Sequence, residues 1–189
     1  MSMPAKPLKM TVEEYLNAEE FATVRHEFVD GQTYAMTGAT EAHNCICSNL
    51  HALIHGHLRK SNCRVYINDM KVWIESTNSF YYPDILITCE PYDGKSVFKS
   101  MPTIILEILS PSTTRIDLGE KLNAYKQVPG LREYGVVYQD QRRLELHRKT
   151  TENLWQTINY KPPEQVLLSS LLEPFQMSFD DIYERTDIR

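Results

Sequence analysis

Residues 82–121 read YPDILITCEPYDGKSVFKSMPTIILEILSPSTTRIDLGEK, and the two apolar runs inside them decide the fold. Pro83 can open a strand, where its missing N–H costs least, and Ile85 to Cys89 continue as a buried run. Thr103 to Leu109 is nearly continuous in apolar residues, the pattern of a strand covered on both faces. Each run carries an acid, Asp84 at the head of the first and Glu107 in the middle of the second. An ionised carboxylate in a low-dielectric interior costs several kcal/mol, so each acid should meet a cation, a hydrogen-bond network or a cleft.

Working outward, Ser110-Pro111-Ser112 should end the second strand, and a helix is expected from about Ile116 to Gln127, stopped by Pro129-Gly130. Glu133 to Tyr138, Leu144 to Lys149 and Leu154 to Tyr160 read as three more strands, the first two turning at Asp140-Gln141. A short helix is expected from Ser178 to Arg185. Upstream, Thr11 and Glu14 form a capping box for a helix reaching about Glu20. Val24 to Met36 reads as a hairpin turning at Asp30-Gly31. Apolar residues at Ile46, Leu50, Leu53, Ile54 and Leu58 mark an amphipathic helix from about Glu41 to Lys60. Cys63 to Ile67 and Met70 to Ile74 read as two strands around Asn68-Asp69. Glu90 to Met101 reads as a loop.

The 189 residues suit one domain spanning 1–189, with residues 1–10 as a loose lead-in. An apolar content of 42% and a charged content of 24% are ordinary for a globular chain. No apolar run approaches the roughly 20 residues that cross a bilayer, so no membrane association and a cytoplasmic location are expected. Cys45, Cys47, Cys63 and Cys89 form no CxxC pair and are expected as free thiols. The net charge of −5 argues against a protein that coats nucleic acid nonspecifically. It leaves room for a nuclease, whose metal-binding carboxylates lower the total.

Asp84 and Glu107 are 23 positions apart, room for a strand, a loop and a neighbouring strand. Adjacent strands lie about 4.8 Å apart, so the two acids in register can converge on one divalent ion. Pairing each acid with a nearby lysine or a loop cap satisfies the same positions. Asp117 and Lys121, at i and i+4, also make an ordinary surface ion pair. Glu27, on the first hairpin strand, can serve as a cross-strand partner for Arg25 or Lys71.

Along the helix from Glu41, His43, Cys47, His51 and His55 recur every four residues. Each step drifts about 40°, so His43 and His55 end about 120° apart and cannot share one zinc ion. His43 and His57 are expected as packed, hydrogen-bonded residues. Tyr66, Tyr81 and Tyr82 suit either a substrate groove or the rim of a sheet. Arg142, Arg143, His147, Arg148 and Lys149 suit a phosphate contact or a charged edge strand equally.

Glu27, the YPD of Tyr82 to Asp84, the LEILSPS of Leu106 to Ser112, and the spaced Asp117, Lys121 and Tyr125 together resemble the Uma-two family of "putative restriction endonucleases", placed among the PD-(D/E)XK nucleases. The resemblance runs from TVEEYL at Thr11 to DDIY at Asp180 to Tyr183. It implies an α/β fold: a restriction-endonuclease-like core with a mixed central β-sheet flanked by helices, and additional antiparallel strands.

The same resemblance implies an endonuclease that hydrolyses DNA phosphodiester bonds with Mg²⁺ or Mn²⁺. Asp84 and Glu107 would be metal ligands, with the backbone carbonyl of Ile108 completing the set. The superfamily pattern places a lysine two residues after the glutamate, where this chain has Leu109, and the resemblance passes that part to Lys121. Lys121 would orient the attacking water and stabilise charge on the phosphate, with Glu27 acting beside it. A homodimer is expected, since superfamily members often dimerise to cut both strands. The alternative is a catalytically inactive nuclease-fold protein that acts as a nucleic-acid-binding or interaction module.

Overall fold

The computed structural model describes residues 9–110, 116–171 and 173–189. Most of the lead-in expected over residues 1–10, and Pro111 and Ser112 of the expected strand stop, lie outside the described residues. The first helix, α1 (Val12–Glu20), opens on the expected capping box of Thr11 and Glu14. Strands β1 (His26–Val29) and β2 (Gln32–Ala35) form the expected hairpin. Asp30 and Gly31 both take positive φ, 46° and 88°, the two left-handed positions of the tight turn that suits twisted strands. Helix α2 (Glu41–Leu58) is capped by the Thr40 hydroxyl and buries Ile46, Leu50, Ile54 and Leu58 at helical spacing.

Strands β3 (Arg64–Ile67) and β4 (Lys71–Ile74) form where expected, but they do not pair with each other. Asn68, at φ 55°, turns the chain so that β3 joins one sheet and β4 another. Three further short strands escape the sequence reading because each is too short to show alternation. They are β5 (Ser79–Tyr81), β7 (Phe98–Lys99), inside the expected loop, and β12 (Val166–Leu168), which pairs with β13 (Phe175–Met177).

The larger sheet has six strands in the order β11-β10-β9-β8-β6-β3, where β6 is Ile85–Thr88, β8 Ile104–Leu109, β9 Glu133–Tyr138, β10 Leu144–Lys149 and β11 Trp155–Tyr160. Strands β8 and β9 run parallel, while β6 runs antiparallel to β8, so the sheet is mixed. All six residues of β8 are buried, as expected of a strand covered on both faces. Ile104, Leu106 and Ile108 join a core with α2 and the closing helix α4 (Phe179–Ile182). Ile105 and Leu109 turn to the other face, where they pack with Ala124 and Tyr125 of α3 (Leu122–Tyr125). Glu107 alternates with them, so its carboxylate is driven onto this second face. The other sheet, β2-β1-β5-β4-β7, stands beside this face.

Two expectations fail here. Cys63 and Cys89 are joined in a disulfide, because they extend the β3–β6 ladder by one position beyond Arg64 and Thr88. Cys45 and Cys47 are free thiols. Strand β10 is not an edge strand, since it pairs with β9 on one side and β11 on the other. Its basic residues are held internally: Arg143 by Glu145 and Asn159, and Arg148 by the fully buried Glu133.

Candidate active site

Beyond the last β6–β8 pair, Ile85 with Leu106, the register sets Asp84 opposite Glu107 and Pro83 opposite Ile108. The Ile108 N–H donates to Asp84 Oδ2 at 2.8 Å. In the other direction the Asp84 N–H donates to Glu107 Oε2 at 3.2 Å. Two main-chain donors thus fix two carboxylates side by side where the strands part. Asp84 keeps 18% of its side chain exposed, while Glu107 is buried.

The segment after β8 re-enters the fold as a wide π-helical turn, Asp117–Lys121, running directly into α3. Such turns concentrate at functional sites, because the extra residue re-aims side chains. Here Lys121 Nζ lies 2.8 Å from Glu27 Oε1, 3.3 Å from Glu107 Oε1 and 3.5 Å from Asp117 Oδ1. Tyr125 donates to Glu107 Oε1 at 3.2 Å, and Tyr134 donates to the Asp117 carbonyl at 3.0 Å. Asp117 and Lys121 are 2% and 6% exposed, so the surface ion pair that their spacing also suited is excluded. Glu27 does not pair with Arg25 or Lys71: Arg25 binds Asp69, and Lys71 donates to the Tyr82 hydroxyl.

Burial alone would push the Lys121 ammonium to lose its proton. The charges of Glu107, Glu27 and Asp117 outweigh that effect and hold it well above the usual lysine range. For Glu107 burial is the leading cause, and it raises the carboxyl well above the usual carboxylate range. Lys121 pulls it down, while Asp117, Asp84 and Glu27 push it further up.

A fifth residue joins the acids. His43, in the first turn of α2, places Nε2 3.1 Å from Asp84 Oδ2. Burial lowers the affinity of the imidazole for a proton, but the hydrogen bond and charge of Asp84, with the charge of Asp117, raise it above the ordinary histidine value. The sequence placed His43 correctly as a hydrogen-bonded residue, yet carried no sign that its partner is Asp84, 41 positions away. His57 behaves as expected, bonding to the Glu173 carbonyl and stacking on Phe175. Tyr81 and Tyr82 are buried and line no groove, whereas Tyr66 keeps partial exposure.

The donor set decides which ion this site can hold. Among the described residues no group of three or more His, Cys, Asp or Glu side chains is arranged to hold a metal ion. What converges is oxygen: the Asp84 and Glu107 carboxylates beside the Ile108 main chain. Mg²⁺ is bound through one or two carboxylates and keeps several waters, so this sparse set fits it. Charge agrees, since Glu27, Asp84, Glu107 and Asp117 face one ammonium and one imidazole.

Comparison with known proteins gives concordant matches. The Uma2 family, described as "Putative restriction endonuclease", matches residues 12–180. The uncharacterized protein slr1290 of Synechocystis sp. is 35% identical over 170 residues, covering 89% of this chain and 90% of its own length. A second Synechocystis protein, the uncharacterized sll1609, is 31% identical over 149 residues, covering 77% of this chain and 84% of its own. A crystal structure from Anabaena variabilis, described as "a putative nuclease belonging to DUF820", superposes with a TM-score of 0.75 at 18% identity. That superposition covers 92% of this chain and 97% of the Anabaena chain, and it shows a shared fold.

Proposed function

Because the chain belongs to the Uma2 family, described as "Putative restriction endonuclease", we propose that it is a divalent-metal-dependent endonuclease hydrolysing DNA phosphodiester bonds. The observation that supports this reading best is the meeting of Asp84, Glu107, Lys121 and Glu27, drawn from both sheets and the helical segment between them.

Asp84 and Glu107, with the Ile108 carbonyl, would hold Mg²⁺ or Mn²⁺. When bound, such an ion lowers the pKa of a coordinated water and neutralises charge gathering on the phosphate oxygens. Lys121 remains an ammonium in this setting, so its N–H groups can orient the attacking water and stabilise the phosphorane-like charge. Leu109 occupies the place where the superfamily carries its lysine, and Lys121 approaches Glu107 from the opposite element instead. Glu27 holds that ammonium from β1. His43 and the Ile108 N–H both occupy Asp84 Oδ2, so they fix the rotamer of Asp84.

The chain would act in the cytoplasm as one domain, and a homodimer would offer one such site to each strand of a duplex. Plasmid cleavage with Mg²⁺ or Mn²⁺, compared between the wild type and Asp84→Ala, tests the assignment. Cleavage by the wild type and none by the variant is expected. Equal cleavage by both would remove Asp84 from the site. No cleavage by either, together with retained nucleic-acid binding, would favour an inactive binding module on the same fold.

A further inference from the structure

Five arginines, Arg25, Arg142, Arg143, Arg148 and Arg185, each pair with a carboxylate. Arg59 and Arg64 pair with none among the described residues, and both line one cavity of about 360 Å³ at the C-terminal end of α2. Ser61, Tyr66 and Tyr92 line it as well. Two guanidinium groups without counter-charges, set among aromatic rings, are uncommon in a chain whose net charge is −5.

Arg64 is already held in place. Its guanidinium lies 5.0 Å over the Tyr92 ring, and Nη1 donates to the carbonyls of Asn62 at 3.4 Å and Glu90 at 3.5 Å. Its Nε and Nη2 donate to nothing among the described residues. That leaves one side of a planar fork, the geometry that matches two phosphate oxygens. Arg59 caps the end of α2 on the same cavity. Tyr92 is 69% exposed, an aromatic ring open to a stacking partner.

The position relates this cavity to the acids. Strand β3 is the outer strand of the six-stranded sheet, so no further strand covers it. Tyr66 pairs with Leu86, two residues beyond Asp84. With a rise of about 3.3 Å per residue and about 4.8 Å between strands, the Tyr66 backbone lies within about 8 Å of Asp84. One extended polymer can therefore occupy the cavity and reach the carboxylates.

We propose that the Arg59–Arg64 cavity is a nucleotide subsite that takes the phosphate and base of a single-stranded nucleic-acid segment leading into the Asp84–Glu107 site. The guanidiniums hold the phosphate, and the tyrosine rings stack on the base without regard to its identity. The choice of ligand class rests on the nuclease reading, whereas binding at the subsite needs no turnover.

The test is fluorescence anisotropy of a labelled single-stranded oligodeoxynucleotide in EDTA, over a series of salt concentrations. The Arg59→Ala/Arg64→Ala double variant is compared with wild type, with Asp84→Ala, and with Arg132→Ala, which removes an exposed charge elsewhere. The double variant should bind at least about tenfold more weakly. Its log–log salt slope should be shallower by about 1.4, from two phosphate contacts at about 0.7 each. Arg132→Ala and Asp84→Ala should bind as wild type or, for the latter, more tightly. Wild-type affinity in the double variant, or an equal loss in Arg132→Ala, overturns the subsite. A parallel titration with dAMP separates a strand from a free nucleotide: a double variant that loses dAMP but keeps the strand also overturns it. Subsite binding in a protein that cleaves nothing would sink the nuclease reading alone.

Discussion

Lys121 Nζ stands 2.8 Å from Glu27 Oε1, and this contact joins the five-stranded sheet to the helical segment beneath β8. The ammonium also faces Glu107 and Asp117 at 3.3 and 3.5 Å, so it is the chief counter-charge of three shielded acids. Lys121→Met leaves those acids facing one another. Removing one partner from a buried ionic group costs roughly 3–5 kcal/mol.

That cost should depend on pH. Glu107 is raised well above the usual carboxylate range, and without Lys121 it would be raised further. A carboxyl with a raised pKa keeps its proton in the folded state at pH values where the unfolded chain has released it. The folded state then binds more protons, so stability falls as pH rises through the folded pKa. Urea denaturation at pH 5 and pH 8 should show a smaller loss for Lys121→Met at pH 5. A loss of the same size at both values would mean that the acids are not coupled through Lys121.

His43→Ala removes one of the two donors on Asp84 Oδ2 and leaves the Ile108 N–H. Outer partners of this kind commonly cost 10–100-fold in metal affinity or activity. Cleavage should fall by about that factor with the circular dichroism spectrum unchanged. His43→Gln, which can still donate to Asp84, should recover part of the loss.

Divalent ions should stabilise the fold, because four acids are opposed by one ammonium and one imidazole. At an ion concentration about a hundredfold above its Kd, mass action gives about 2.7 kcal/mol. Scanning calorimetry should show the Tm of wild type rising with Mg²⁺ and that of Asp84→Asn staying still. A rise of equal size in both would place the ion elsewhere.

The thiols offer a check that needs no activity. Cys47 is buried beneath Asp84, and burial, with the charges of Asp84 and Glu107, pushes its thiol up to about 12. Iodoacetamide at pH 8 should therefore modify Cys45 in the native protein and spare Cys47. Cys63 and Cys89 should react only after reduction. Native labelling of Cys63 would mean that the β3–β6 ladder is not closed as described.

Much of this architecture was legible where a residue violated its surroundings. Glu107 announced itself because an acid inside IILEIL has no apolar excuse, and Asp30-Gly31 because only a tight hairpin asks for two left-handed residues in succession. The assignment of β3 and β4 to different sheets was hidden, because it depends on what each strand finds to pair with and not on its own alternation. The disulfide was hidden for the same reason: positions 63 and 89 become neighbours only once the β3–β6 register exists. Strand β5, three residues long and wholly buried, offers no period to read. His43 needed the tertiary structure to reveal its partner, since a histidine on a helix advertises only its own face.

The reciprocal bonds between Asp84 and the Glu107–Ile108 pair set the gap between the two carboxylates by a main-chain ruler. One end of that ruler is an amide that every residue except proline carries, so position 108 is free to drift in side chain while the distance stays calibrated. Asp84 has no such latitude. Lengthening it to glutamate would move its oxygens by one methylene against a mark that does not move with them.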